Sequence, residues 1–430
     1  MLMHPQKAGR SLRGEISVPG DKSIAHRALM LGGIAEGDSV IHGMPLSGDV
    51  LTTRDCMRTL GVQISDPDTD GRVVVEGRGT EGLKTPLAPL DCRNSGTTAR
   101  LLCGLLSAQR FSATLDGDKS LRRRPMARVV DPLRDMGARI DYLADTNRLP
   151  LRVEGGLLPF TLHKPEVASA QVKSALLLAS LAAGSGCRLL EPVQTRNHTE
   201  LMLAHMGSGL TLVDGIVELP PGARINGREF ELPGDISSAS FLIAAAVLLP
   251  GSDLKCLNIG VNQGRLGFID TLQEMGADIT LENQRFVGGE PVADIHVRYS
   301  ALKGTTVRGS RIPRIIDELP LLALVASQAA GSTLIRDAAE LRLKESDRIE
   351  STAAMLAALG ISCETHADGF RISGPQRVKG GRVDSRGDHR IAMSAVVASL
   401  LSADPVETSD QECIAVSYPG FREEIMRLVD

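Results

Sequence analysis

The 430-residue sequence has no tryptophan, three tyrosines and eight phenylalanines. Its cores must therefore be built from Leu, Ile, Val, Ala and Met. Long apolar runs are missing too: Ser174–Ala183 and Ser240–Leu249 are among the longest, and both fall well short of the roughly 20 residues that a bilayer-spanning helix requires. The N-terminus shows no apolar signal core, and the seven cysteines form no CxxC pair and no regular spacing. These features fit a soluble cytoplasmic protein with reduced thiols. Neither charge is in great excess. The net charge of −4 excludes a global attraction to nucleic acid or to an anionic membrane, so an anionic ligand has to be held by locally placed cations. HExxH, P-loop and Rossmann glycine patterns are absent and the nine histidines are scattered, so the sequence calls for no metal and no cofactor. His198, in Arg196-Asn197-His198-Thr199-Glu200, reads as a hydrogen-bonding residue.

What the sequence does contain is an internal repeat. A Leu-x-x-(Met/Leu)-Gly pattern ends at Gly61 (a loose copy), Gly137, Gly207, Gly276 and Gly360, at intervals of 76, 70, 69 and 84 residues. Each glycine closes an amphipathic helix, followed by strand-like runs such as Val62–Ile64 and Ala277–Ile279. Phe421–Val429 is a sixth helix of this kind. A second series of Ala/Leu-rich helices begins near Lys22, Ser95, Ala170, Ser237, Asp317 and Asp388. These are apolar nearly all round, as buried helices are, and lead to strands such as Cys187–Leu190 and Thr333–Ile335. Pro19-Gly20-Asp21-Lys22-Ser23 is echoed by Pro233-Gly234-Asp235-Ile236-Ser237, 214 residues on (233 − 19). Together these patterns predict two similar α/β domains of three units each, with three units sharing one core because a single unit cannot bury its own apolar face.

Charged and hydroxyl residues gather where the apolar helices start. A helix N-terminus offers free N–H groups and a partial positive charge. Lys22, Ser23 and Arg27 form either an anion cradle or a capped, solvated helix end. Asn94-Ser95-Gly96-Thr97-Thr98 allows close backbone approach at Gly96, or is a capped glycine turn. Ser169-Ala170-Gln171-Val172-Lys173 offers a hydroxyl, N–H donors and an amide, or is a simple cap. Arg122-Arg123-Arg124 is either a solvated surface run or, because Pro125 fixes the start of the next helix, a segment that aims Arg124. Asp317-Glu318 is a charge partner or a buried base. Taken alone, Arg342 to Arg348 reads as an exposed, salt-bridged helix start. Asp388-His389-Arg390 opens the last apolar helix.

In order along the chain, Pro-Gly-Asp-Lys-Ser-x-x-His-Arg (19–27), Asn-Ser-Gly-Thr (94–97), Arg-Arg-Pro-Met (123–126), Ser-Ala-Gln-Val-Lys (169–173), Lys-Glu-Ser-Asp-Arg-Ile (344–349) and Asp-His-Arg-Ile-Ala-Met (388–393) resemble the 5-enolpyruvylshikimate-3-phosphate synthase family over almost the whole length. The Ser-Ala-Gln-x-Lys and Arg-x-His-x-Glu segments look like its class II branch. Gly96 is the residue typical of glyphosate-sensitive members, so glyphosate is an expected inhibitor. The resemblance implies two domains of three βαβαββ units, an inside-out α/β barrel with the active site in the interdomain cleft. One domain is expected to be discontinuous (1–20 plus 241–430) and the other to span 21–240.

The resemblance also implies roles. Lys22, Ser23, Arg27, Ser169, Ala170, Gln171, Arg196, Asp317 and Lys344 would hold shikimate 3-phosphate. Lys22, Gly96, Arg124, Gln171, Arg348 and Arg390 would hold phosphoenolpyruvate. Glu345 would protonate the donor's methylene carbon, Asp317 would take the proton of the acceptor's 5-hydroxyl, and Lys22 would assist the leaving phosphate. The sequence departs from the family where many members carry a lysine before the final Ser/Thr–aromatic–Pro segment, because Ile414–Pro419 contains none. A monomer is expected. Two other readings compete. A UDP-N-acetylglucosamine enolpyruvyl transferase would carry a Lys-Asn pair where Lys22-Ser23 stands, and a cysteine in the Arg122–Met126 region. A non-enzymatic repeat scaffold would need no such charges at successive helix starts.

Overall fold

The structure is a computed structural model that describes residues 10–69, 71–156, 158–164, 169–191 and 193–430. The chain divides into two compact units. The terminal unit comprises the chain through Pro19, Gly234–Arg285 and Pro291–Asp430; the middle unit comprises Gly20–Pro233 and Phe286–Glu290. The crossing into the terminal unit therefore lies at Pro233/Gly234 and not at residue 240. Asp235 caps the helix Ile236–Leu248, and that helix packs in the terminal unit's core, so residues 234–240 go with it. The expected continuous span also gains Phe286–Glu290, where buried Glu290 meets His198 Nδ1 at 2.8 Å.

Each unit has its own apolar core, and three almost wholly buried helices run through each. In the middle unit these are Lys22–Gly33, Gly96–Leu106 and Ala170–Ala183. In the terminal unit they are Ile236–Leu248, Leu319–Ala326 and His389–Leu401. Ala, Leu, Ile and Val make up most of their surfaces, so they can be surrounded by protein, and the charged residues buried with them in the middle unit, Arg27, Arg100 and Lys173, bond to Thr199, Gln171 and Glu191. In the middle unit Gly104 lets two of them touch. A Cβ there would stand 2.1 Å from the Ala175 carbonyl oxygen, so only glycine permits this approach.

Among the described residues the strands form six sheets, three per unit. Every sheet holds one parallel pair, and in four of them the paired strands flank a buried helix in sequence. These are Leu90–Asp91 with Ser112–Asp116, Thr161–His163 with Cys187–Leu190, Thr306–Val307 with Gly331–Ile335, and Gly381–Val383 with Val406–Thr408. A helical crossover is what a parallel pair needs. In the remaining two the partners are exchanged. Arg13–Ser17 leads into helix Lys22–Gly33 but pairs with Asp253–Gly260, whereas Glu229–Glu231 leads into helix Ile236–Leu248 but pairs with Ser39–His42. The two Pro-Gly-Asp segments lie at these exchanges.

The amphipathic helices Gly48–Thr59, Ala127–Asp135, His198–His205, Gly267–Glu274 and Arg348–Ala358 end where the glycine repeat predicts. Gly61, Gly137, Gly207, Gly276 and Gly360 all take positive φ (73° to 101°), the left-handed turn that stops a helix. One predicted strand does not form. Val62–Ile64 meets Val73–Val75, which pairs along Ser39–Ile41 on its other edge, only through the isolated bridge Ile64 to Val75, with the Ser65 N–H donating to the Val74 carbonyl and the Glu76 N–H to the Gln63 carbonyl.

Candidate active site

In the middle unit the predicted residues gather at three helix starts. Asp21 caps the first by accepting from the Ile24 N–H at 2.9 Å, which leaves Lys22 and Ser23 half-buried at its tip. Lys22 Nζ donates to Asp49 Oδ2 at 3.1 Å. Arg27, one turn on, is buried among neutral oxygens. It donates to Thr199 Oγ1 (2.6 Å), Ser174 Oγ (2.8 Å) and the Ser23 carbonyl (2.7 Å). Burial, only partly offset by the charges of Glu200, Asp21 and Glu290, draws its pKa down to about 10. Arg196, just before helix His198–His205, adds a like charge that pushes the same way.

At the second start, Ser95 caps through the Thr98 N–H and Gly96 is buried beside two guanidiniums. A Cβ on Gly96 would stand 2.8 Å from Arg100 Nη1 and 3.3 Å from Arg124 Nη1. Arg124 Nη2 donates to Asn94 Oδ1 at 2.6 Å. Arg124 is itself buried, aimed as the following proline suggests. At the third start Ser169 stands in the cap position without a side-chain cap bond. Ala170 is the first helical residue, and Gln171 bridges Arg100 Nη1 (3.0 Å) and Thr97 Oγ1 (3.1 Å). The glycine contact at Gly104 brings these two helices close enough for that bridge.

A buried hydroxyl chain links the helix that begins at Lys22 to the helix start at Ser95. His26 Nδ1 meets Thr53 Oγ1 (2.6 Å), Thr53 meets Thr98 Oγ1 (2.6 Å), and Thr98 donates to Ser95 Oγ (2.7 Å). Burial first, then Lys22 and Arg27, push the His26 pKa well below 6.5, so the ring is neutral at neutral pH.

In the terminal unit the centre is Arg348. The sequence alone makes it part of an exposed charged run, but it is fully buried. The reason lies 40 residues away: Asp388, which caps helix His389–Leu401, accepts from Arg348 Nε (2.9 Å) and Nη2 (3.2 Å). Arg348 also donates to Glu345 Oε2 (2.7 Å) and Asp317 Oδ1 (3.4 Å). Lys344 Nζ reaches the same Asp317 oxygen at 3.2 Å. Burial opposes the Arg348 charge, but Asp388, Glu345 and Asp317 outweigh it and hold the pKa above the usual arginine range. Arg390 is buried nearby in sequence, its Nη1 3.2 Å from the Ser237 carbonyl oxygen.

Several of these partners lack a sequence signal. Asp49 is an ordinary first-turn acid. Arg100 could have been noticed as a lone charge in an apolar helix, one turn after Gly96. Where the sequence lacks the C-terminal lysine, the chain forms the turn Gln411–Val416. Arg422 is engaged with Gln411 Oε1 at 3.1 Å, and buried Tyr418 donates to Glu424 Oε2 at 2.5 Å. Among the described residues no cluster of three or more His, Cys, Asp or Glu is placed to hold a metal ion, and no helix is long and apolar enough to cross a membrane.

Residues 6–425 match the family model described as EPSP synthase (3-phosphoshikimate 1-carboxyvinyltransferase). The chain belongs to the EPSP synthase family. Relatives named 3-phosphoshikimate 1-carboxyvinyltransferase share its length. That of Pelotomaculum thermopropionicum is 50% identical over 431 residues, covering 100% of this chain and 99% of the relative. That of Desulforudis audaxviator is 50% identical over 412 residues, 96% of each. Among solved structures, EPSP synthase from Acinetobacter baumannii matches with TM-score 0.87 and 40% identity, covering 100% of this chain and 98% of that one. The enolpyruvyl transferase NikO from Streptomyces tendae shares the fold with TM-score 0.79 at 17% identity, again over 100% and 98%. The two-domain mixed α/β expectation accords with these matches.

Proposed function

We propose that the protein transfers the enolpyruvyl group of phosphoenolpyruvate to the 5-hydroxyl of shikimate 3-phosphate and releases phosphate, the family's step toward chorismate and the aromatic amino acids. The observation that carries the mechanism is the meeting of Asp317 and Glu345 on one buried guanidinium, Arg348. The buried cation holds both carboxylates in fixed positions, which is what oriented proton transfer requires. Glu345 gives a proton to the methylene carbon of phosphoenolpyruvate, and Asp317 takes the proton of the 5-hydroxyl as its oxygen bonds to the neighbouring carbon. The tetrahedral adduct then loses phosphate by C–O cleavage while the Glu345 carboxylate takes a proton back from the methyl carbon and the C=C bond re-forms, with Lys22, Arg124 and Arg390 countering the charge on the leaving phosphate.

Shikimate 3-phosphate is held by Lys22, Ser23, Arg27, Ser169, the Ala170 backbone, Gln171, Arg196, Asp317 and Lys344. Phosphoenolpyruvate is held by Lys22, Gly96, Arg124, Gln171, Arg348 and Arg390. Glyphosate competes with phosphoenolpyruvate beside Gly96, and the enzyme works as a monomer without a cofactor.

Phosphate release with shikimate 3-phosphate or UDP-N-acetylglucosamine as acceptor tests the reading. Release with the former alone is expected, and glyphosate should suppress it. Release with neither would leave a scaffold, and release with the latter would name a different transferase. Glu345→Gln should lower turnover by about 10²–10⁴-fold, the worth of one positioned acid, with substrate binding retained. Near-parental turnover would remove Glu345 from the acid role.

A further inference from the structure

The two Pro-Gly-Asp helix starts share a sequence and are finished differently. In the middle unit, Lys22 and Ser23 stay half-buried at the tip. In the terminal unit, Asp235 caps through the Ser237 N–H at 2.9 Å, the lysine position is Ile236, and both Ile236 and Ser237 are buried. The Ser237 hydroxyl donates to the Glu318 carboxylate. Arg265 Nη2 donates to Ser237 Oγ (2.5 Å) and to Asp235 Oδ1 (2.9 Å). Arg390 Nη1 lies 3.9 Å from Glu318 Oε1. The position of Arg27 in the first copy is Phe241 in the second (27 + 214), and the Arg390 guanidinium lies over that ring at 5.7 Å. Asp235, Ser237, Arg265, Glu318 and Arg390 are all buried.

A carboxylate is the ligand that a helix N-terminus with a hydroxyl and guanidinium neighbours attracts. Here it comes from the chain itself. We propose that Glu318 is a built-in anion: it fills, in the terminal unit, the place that the matching helix start of the middle unit offers to an anionic substrate, and from there it positions Arg390. The second half rests on the function proposed above, which gives Arg390 to phosphoenolpyruvate. Glu318 itself touches no substrate in this account. It accepts from Ser237, the hydroxyl that Arg265 also reaches, and with the Ser237 carbonyl and the Phe241 ring it fixes the Arg390 guanidinium.

The test uses the full chain with Glu318→Ala and Glu318→Gln. Melting is first followed without substrates, in formate against chloride at equal ionic strength. Formate, a one-carbon carboxylate, should raise the melting temperature of Glu318→Ala clearly more than that of the parent or of Glu318→Gln, whose amide still fills the space. In the phosphate-release assay, both variants should raise the KM for phosphoenolpyruvate about tenfold or more, the worth of one charge-assisted contact. The KM for shikimate 3-phosphate should stay near the parental value, and formate should draw the Glu318→Ala value back. An equal formate shift in parent and Glu318→Ala would overturn the built-in anion. A lowered kcat with both KM values unchanged would overturn the positioning of Arg390. If Glu318→Ala does not fold, a parental KM for phosphoenolpyruvate in Glu318→Gln overturns the proposal instead. A parent inactive on phosphoenolpyruvate would refute the proposed function, while the formate melt still judges the built-in anion.

Discussion

Arg27 and Arg348 are both buried guanidiniums near the start of a helix, one in each unit, and their surroundings are opposite. Arg27 is gripped by two hydroxyls and a carbonyl, with carboxylates acting only from farther off. Arg348 is gripped by three carboxylates. The first arrangement orients a cation while leaving its charge available to a bound anion, at the cost of a depressed pKa. The second holds Asp317, Glu345 and Asp388 in place, so that a bound anion must share the charge with them. Sequence reading gave both arginines the same kind of task, anion binding. The difference between them suggests that Arg27 is a binder and that Arg348 is first an organiser of acids.

The sharpest way to break this comparison is to remove each cation. Arg348→Ala strands three carboxylates, one of them fully buried Asp388, and breaking a buried ion pair from one side costs about 3–5 kcal/mol. Urea unfolding should show a loss of that size, partly recovered by adding Asp388→Asn. A loss under about 1 kcal/mol would mean that the carboxylates do not depend on Arg348.

Arg27→Gln should be milder for the fold, about 1–3 kcal/mol. Ser174 and Thr199 already bond each other at 2.7 Å and are not orphaned. Its effect should appear instead as a KM for shikimate 3-phosphate raised by about 10–100-fold, the range of one charge-assisted bond. An unchanged KM with a large stability loss would make Arg27 structural, like Arg348.

The smallest effect comes from His26, which senses the charge that the middle unit leaves uncancelled. Its folded pKa lies well below 6.5, so below about pH 6.5 the unfolded chain takes up a proton that the folded chain refuses. Stability from this residue is complete above that pH and is lost as the pH falls, at up to about 1.4 kcal/mol per pH unit. Urea midpoints of the parent and of His26→Gln should therefore converge by about 1 kcal/mol between pH 7 and pH 5.5. Parallel pH profiles would show that His26 is not held neutral by its surroundings.

Much of the scaffold was legible from residue order. All six apolar helices begin within two residues of the predicted starts, because caps such as Asp21, Ser95, Asp235 and Asp388 and the apolar composition that follows them act locally. The closing glycines were equally readable, since a left-handed turn is a property of one residue. Val62–Ile64 reads as a strand because alternation marks an extended run, but it does not set how many residues pair, and here only Ile64 bridges its partner. Arg342 to Arg348 is the salt-bridged helix start that its charges indicate, and the exposed reading fails at Arg348 for a related reason. The neighbours in sequence are charged, but the partner that makes burial of Arg348 tolerable, Asp388, arrives from another helix. Arg265 carried no local mark for the same reason.

The sequence by itself determined the sixfold pattern, the helix starts and ends, and which residue types stand at those starts. These follow from capping, backbone freedom and apolar periodicity, which reach only a few residues along the chain. Tertiary structure alone decided which charges are neutralised. It left Arg27 among hydroxyls, surrounded Arg348 with carboxylates, and set Glu318 against one of two helix starts that share a sequence. A charge's free energy depends on its burial and on partners brought from far along the chain, and residue order does not record those distances.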